Sequence, residues 1–432
     1  MKNDFNQNDS NQIENFEELQ AALLNGEKLI QIKRSFVCTH SFTLPDSTTV
    51  TGMQQENNEL PLLSFINSDG IGLTTNNTIK NLHIDVPAQN KAIYSALNSN
   101  DIGSFLLENL SVKGQISFIL RNDVGKGKIT LNDVDINYAE TRHYLEQPQK
   151  YGVNVLQGAL TIYNLNPNEE SNIDVNISNL SIGRKNSPVS GSGVFIAGAG
   201  DNGGKVTVSK LHTKAVYCNG KIPPGVSDYI TGGVFILNGT YAKEVVTDGE
   251  IITFGINDMV LDVWGTVDNW TSNEAVISYG PSGVGFVNFG TVKNFTVNAP
   301  LQTYGLGARG YNQYDGTVEN IKFKSIETFG DGSVGIQISK KIGTLTVEEN
   351  VVTHGSLGSS LVKGNYVDLP AYALSIKDGG EADKITINGN LETYGDEVTT
   401  YIKEKEGKVN QFEIKGEIKS YGSDSKDQEF EE

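Results

Sequence analysis

The chain has 432 residues, of which 47 are Gly and 37% are hydrophobic, a composition suited to short strands and tight turns rather than long helices. Its formal net charge of −18 would repel a phosphate backbone or an anionic membrane, which excludes nucleic acid and membrane surfaces as partners. Cys38 and Cys218 lie far apart with no CxxC spacing, so neither a disulfide framework nor a thiolate metal site is implied.

Residues 1–12 are rich in Asn and Asp and read as a disordered tail without the apolar core of a secretion signal. No apolar run reaches membrane-spanning length, and the expected location is cytoplasmic. Residues 13–26 follow as a helix, because Ile13, Phe16, Leu19 and Leu23 share one face and Gly26 is a stop. Such a helix is expected to cap the first coil of a solenoid and cover its edge. From residue 27 onward, stretches 29–32, 42–44 and 49–52 alternate apolar and polar residues between turns, as strands do.

Two repeating elements run along residues 27–422. The first is Thr or Ser, then an aromatic residue or His, then Gly. It occurs at Thr253-Phe254-Gly255, Ser278-Tyr279-Gly280, Thr303-Tyr304-Gly305, Thr328-Phe329-Gly330, Thr353-His354-Gly355, Thr393-Tyr394-Gly395 and Ser420-Tyr421-Gly422, at spacings of 25, 25, 25, 25, 40 and 27 residues. The second is a polar residue followed by apolar-x-apolar, as in Asn81-Leu82-His83-Ile84, Asn109-Leu110-Ser111-Val112 and Asn294-Phe295-Thr296-Val297. Alternation sends both apolar residues inward, and the Asn sits at a turn. A period of this length means a solenoid whose units bury their apolar faces only against neighbours. Each coil should carry about three short strands.

These coils, with Gly-rich turns and stacked Asn and aromatic positions, resemble the right-handed parallel β-helix of the pectin-lyase-like superfamily over residues 13–422. Residues 253–316 also resemble a group of bacterial β-helix proteins to which no mechanism is attached. The resemblance implies an all-β fold and no single activity, because the superfamily hosts lyases, hydrolases, epimerases, tailspikes and adhesins. The paired-Asp and Gly-His-Gly motifs of its polygalacturonase branch and the Arg-x-Pro-x-x-Arg of its pectate lyase branch are not found in this sequence. The acidic end, residues 423–432, reads as a second disordered tail.

Insertions at 138–152, 164–172, 184–192, 219–232 and 356–372 break the period and are expected to form loops on a binding face. The GxGxxG at 305–310 falls on the repeat's turn and is followed by a strand, so its glycines are turn glycines rather than a dinucleotide site. The column from Phe254 to Tyr421 reads as a stack along the rod. A second aromatic set, Trp264, Phe289 and Tyr314, follows its repeat's Gly by nine residues. If Leu261 and Val263 point inward, Trp264 points outward, and the three rings form a ladder on which sugar faces can stack; a slip of one residue would bury them.

Polar residues gather around that ladder. Asp262, Asn312 and Gln337 share one repeat position. The candidate catalytic residues are Asp258 and Asp262, as acid–base carboxyls, and Arg309, as a base or anion clamp. The candidate substrate-binding residues are Asn257, Trp264, Asn288, Asn312 and Tyr314. Loop groups holding Arg142, His143 and Tyr144, then Lys221, Asp228 and Tyr229, then Lys363, could overhang the same groove. No metal site and no cofactor motif is present; calcium would find neither an EF-hand nor a Gly/Asp repeat. The expected partner is a polysaccharide or oligosaccharide, with a homo-oligomer compatible with an open last coil. The function these features point to is a carbohydrate-interacting β-helix, with a polysaccharide lyase or glycoside hydrolase as its enzymatic form. The rival is a non-catalytic scaffold, and the residues leave both open.

Overall fold

The computed structural model describes residues 12–431, except 55–58, 97, 98, 122 and 363. Of the tail expected at 1–12, residues 1–11 lie outside the described residues, and Gln12 belongs to a strand. The chain winds into a right-handed parallel β-helix, its strands gathered into one sheet of 23 and one of 16. Each typical coil contributes a long strand that turns a corner and a short one that closes the loop. Thr291–Thr303 is such a long strand, and its register against Thr317–Thr328 shifts between Val297 and Pro300. One coil earlier the same stretch breaks into Thr266–Ser272 and Val276–Ser278. The long strands thus supply two of the three expected faces.

The third face carries the short strands Asp258–Val263, Val284–Asn288, Arg309–Gln313 and Val334–Ile338. They pair in parallel at the repeat's spacing, so that Leu261, Phe286, Tyr311 and Ile336 form one inward column. All four are fully buried. Each such side chain removed from water stabilises the coil by about 1.5–3 kcal/mol.

Both sequence repeats have structural causes. Asn81, Asn109, Asp133 and Asn179 hold φ of 56, 50, 52 and 58°, a left-handed conformation that Asn and Asp tolerate. Their side chains link coils: Asn109 Nδ2 donates to Asn81 Oδ1 at 2.9 Å, and Asn179 Nδ2 to Asp133 Oδ1 at 2.9 Å. In the Thr-aromatic-Gly triplets the hydroxyl residue points inward and the ring outward. Rings from Phe254 to Tyr421 stack face to face, with centroids between 4.5 Å (Tyr304 to Phe329) and 5.5 Å (Phe254 to Tyr279). The Gly lies against the carbonyl of the preceding coil's Gly; a Cβ on Gly305 would sit 1.9 Å from the Gly280 oxygen.

The ends differ from expectation in extent. The helix spans Phe16–Leu24, capped by Asn15, whose side chain accepts from the Glu18 amide at 2.9 Å. Ile13 instead belongs to strand Gln12–Ile13, which pairs with Leu29–Ile32. Phe16 and Leu19 pack onto the core. The supposed acidic tail at 423–432 is a further strand, Lys426–Phe430, paired in parallel with Thr399–Lys403. Lys426 is exposed and pairs with Glu429 at 3.0 Å, while Asp427 accepts from the Ser420 amide at 2.7 Å and hydroxyl at 3.0 Å. Among the described residues no helix is long and apolar enough to cross a membrane.

Candidate functional site: a roofed pocket on the outer sheet face

The outer face of the short-strand sheet begins with the column Phe235, Asp262, Val287, Asn312 and Gln337, adjacent rungs of one register. Two residues further along three of those strands come Trp264, Phe289 and Tyr314. The alternation therefore runs as expected, with Leu261 and Val263 inward and Trp264 outward. Its consequence differs. The hairpin Gln149–Lys150 to Val153–Val155 turns at Tyr151 and Gly152, with φ of 56° and 84°. It lays Tyr151 over the ladder, stacked on Phe289 at 4.5 Å and edge-on to Trp264 at 5.4 Å. Trp264 is buried in a second apolar cluster with Phe195, Phe235 and Val155, so it is not an open sugar platform. Phe289 and Tyr314 are half-buried.

Beside this cover lies a pocket of about 130 Å³. Three of the five insertions converge on it. Tyr151 comes from the first, with Val153 on the strand just after it, Ser227 and Ile230 from the loop at 219–232, and Leu361 and Val362 from the hairpin Gly358–Val362 to Asn365–Leu369. That hairpin is fastened to the sheet at Gly307, whose carbonyl accepts from the Ser360 hydroxyl at 3.1 Å. Gly307 has φ 64°, and a Cβ there would lie 2.5 Å from the Ser359 oxygen, so only Gly permits the approach.

Arg309 forms the pocket floor and is only 5% exposed. Its Nη1 donates to the Gly307 carbonyl at 3.3 Å and its Nε to Gln337 Oε1 at 3.5 Å. Burial pulls the guanidinium down to about 10, with Tyr314 opposing, so it stays charged at neutral pH. Asn312 accepts from Gln337 Nε2 at 3.3 Å. Asn257, in a left-handed turn at φ 57°, donates to the Val226 carbonyl at 3.1 Å and so fixes the 219–232 loop. Its buried Oδ1 has no partner among the described residues, and the residue lines the pocket.

Of the eight residues singled out from the sequence, Asn257, Arg309, Asn312 and Tyr314 meet in this pocket. The other four do not line it. Asp258 is a buried turn fastener, accepting from the Gly255 amide at 2.6 Å, the Gly220 amide at 3.4 Å and the Thr231 hydroxyl. Burial pushes its carboxyl up to about 6 against those bonds. Asp262 lies under Trp264, whose Nε1 donates to it at 3.2 Å, while its other oxygen is unpartnered among the described residues. Burial raises it well above the usual carboxylate range. Asn288 points inward, donating to Gln313 Oε1 at 3.2 Å and the Thr317 carbonyl at 3.3 Å.

The loop groups also separate. Arg142 pairs with Glu140 at 2.8 Å and Tyr144 donates to the Gln89 carbonyl at 2.9 Å, away from the pocket. Lys221, Asp228 and Tyr229 do not line it, and Lys363 lies outside the described residues. Sequence reasoning missed Tyr151 and the Leu361–Val362 roof, whose only signal was their place in insertions. Among the described residues no cluster of three His, Cys, Asp or Glu side chains could hold a metal ion. No protein-family model, curated protein or solved structure matches the chain.

Proposed function

We propose that this β-helix binds a saccharide in the pocket floored by Arg309, Asn312 and Gln337. The observation that carries the reading is the joining of ring and amide in one cavity: Phe289 and Tyr314 stand beside Asn257, Asn312 and Gln337. A sugar offers apolar C–H faces and a rim of hydroxyls that both donate and accept. Aromatic walls serve the first and amides the second.

The reading is one of binding rather than cleavage. Glycoside hydrolysis by the common route needs two carboxyls flanking the bond, and no Asp or Glu lines this pocket. A lyase would need Arg309 to act as a base, yet its guanidinium titrates only near 10. Calorimetric titration with short neutral and acidic oligosaccharides tests the proposal. Saturable binding is expected with at least one of them, weakened roughly tenfold in Asn312→Ala and in Tyr314→Ala. Absence of saturable heat across the panel would overturn it, and chain shortening on prolonged incubation would restore the enzymatic form.

One observation favours the scaffold reading. The inward side chains Phe412, Ile414 and Ile418 of the last described coil are only half-buried, and Phe430 is 49% exposed. Half-exposed apolar side chains along a parallel ladder accept a partner edge. Light scattering over a range of concentrations would show self-association, lost in Phe412→Lys, if that edge is used by a second copy.

A further inference from the structure

We propose that the group recognised in the pocket is an oxyanion carried on the sugar, a carboxylate, sulfate or phosphate, received by the guanidinium of Arg309. This rests on the saccharide reading and narrows it to charged sugars.

The chain contains five arginines. Arg34, Arg121, Arg142 and Arg184 are substantially exposed, and each pairs with a carboxylate. Arg309 is the buried one, and it has no carboxylate partner among the described residues. Its two hydrogen bonds, at 3.3 and 3.5 Å, are long and go to neutral acceptors, and Nη2 makes none with a described residue. A guanidinium offers five N–H donors in a planar fork, so most of its capacity faces the cavity unused. A buried charge without a partner is strongly unfavourable. Carboxylates are not scarce: Asp and Glu number 52 against 34 Lys and Arg. Their exclusion from the lining of this one pocket leaves the counterion to be supplied from outside.

The surroundings fit a charged sugar better than a bare ion. Val153, Leu361 and Val362 roof the cavity with apolar surface, where an ion pair is less screened than in water. Asn312 and Gln337 line the same cavity with amides, which can both donate to and accept from the hydroxyls of a sugar. Tyr314 and Phe289, 4.7 Å apart, supply an aromatic wall for the ring.

The test uses the full chain and four methyl glycosides bearing a hydroxyl, a carboxylate, a sulfate or a phosphate at the same ring position, with inorganic sulfate as a fifth ligand. Calorimetry is expected to show at least one charged glycoside binding roughly tenfold to a hundredfold tighter than the neutral one, the factor that corresponds to a hydrogen bond with an ionised group. Arg309→Lys should keep part of that preference. Arg309→Met, checked for an unchanged thermal melt, should abolish it. The comparison within the unaltered protein stands even if both variants fail to fold. Equal affinity for neutral and charged glycosides would overturn the oxyanion assignment and leave the saccharide reading in place. Binding of inorganic sulfate with no glycoside bound would keep the oxyanion site but remove the sugar. Binding of none would remove both.

Discussion

The phenol ring of Tyr151 lies over Phe289 with centroids 4.5 Å apart and planes 29° from parallel. A residue from a loop insertion thereby closes a ladder built by the repeats. The chain has two tryptophans; Trp264 is 4% exposed beneath Tyr151 and Trp270 is 1% exposed in the core. Tyr151→Ala should uncover the first and leave the second buried. Acrylamide quenching of tryptophan fluorescence is expected to rise clearly in the variant, with a stability loss of about 1–2 kcal/mol from the lost ring contacts. Tyr151→Phe keeps the stack, losing only the long bond from the hydroxyl to the Phe289 carbonyl at 3.4 Å, and should leave the quenching unchanged. An unaltered quenching constant in Tyr151→Ala would show that the loop does not cover Trp264 in solution.

Asp262 is a carboxyl whose neutral form folding favours. In the unfolded chain it ionises near 3.8, while burial raises its folded value well above that. The neutral acid therefore favours the fold fully below the unfolded value, and this contribution is lost as pH rises toward the folded one. Asp262→Asn keeps the shape and the acceptor for Trp264 Nε1 without a group that can ionise. The variant should be more stable than the parent at neutral pH, by a margin that grows as pH rises from the unfolded value of 3.8 toward the folded one. Urea midpoints measured at acid and at neutral pH decide the matter; a margin that is flat or reversed would mean that Asp262 reaches water.

The inward face of the coil was legible because alternation is a property of the extended backbone. With Leu261 and Val263 inside it places Trp264 outside, and the structure has that register rather than the one-residue slip that the sequence left open. The same rule also assigns Asn288, which occupies in its coil the place of Val263 in the one before, and reading it as a surface ligand overlooked that equivalence. Asp258 stands three residues after Gly255 at a turn, the spacing of a side chain that fastens backbone amides. The strand at Lys426–Phe430 follows Ser420-Tyr421-Gly422 as Thr399–Lys403 follows Thr393-Tyr394-Gly395, a repeat signal that outweighs its acidic composition. What lies on top of the ladder was not legible. Tyr151 and Leu361 reach the pocket from insertions, and a turn signal marks where a loop bends without saying where it lands.

The coil-to-coil glycine column makes a sharp steric prediction. A Cβ on Gly305 would meet Gly280 backbone at 1.9 Å and 2.3 Å, and backbone shared by two ladders cannot retreat. Gly305→Ala should cost about 3 kcal/mol or more. Gly152, at the Tyr151 turn, has nothing within 4 Å of its added Cβ but a φ of 84°. Gly152→Ala should cost only the strain of a left-handed residue, about 1–2 kcal/mol. Denaturant unfolding of the two variants side by side is expected to separate them clearly. Similar losses would mean that the coils slide apart to admit a methyl group.

Asp258 ties the 219–232 loop to the coil, since its Oδ2 accepts from Gly220 as well as Gly255. Burial carries its carboxyl from 3.8 up to about 6. For an acid with a raised folded value, stability is fully present below the unfolded value and declines as pH climbs from there to the folded one. The window is therefore about pH 4 to 6, and the loss across it is about 3 kcal/mol for a shift of about two units. Asp258→Asn can still accept from the two amides through its oxygen and donate to Thr231, without titrating. Subtracting the variant's stability from the parent's removes the other carboxyls, and the difference should fall across that window and level off above it. A difference that does not change with pH would place the folded carboxyl near its ordinary value and assign its role to hydrogen bonding alone.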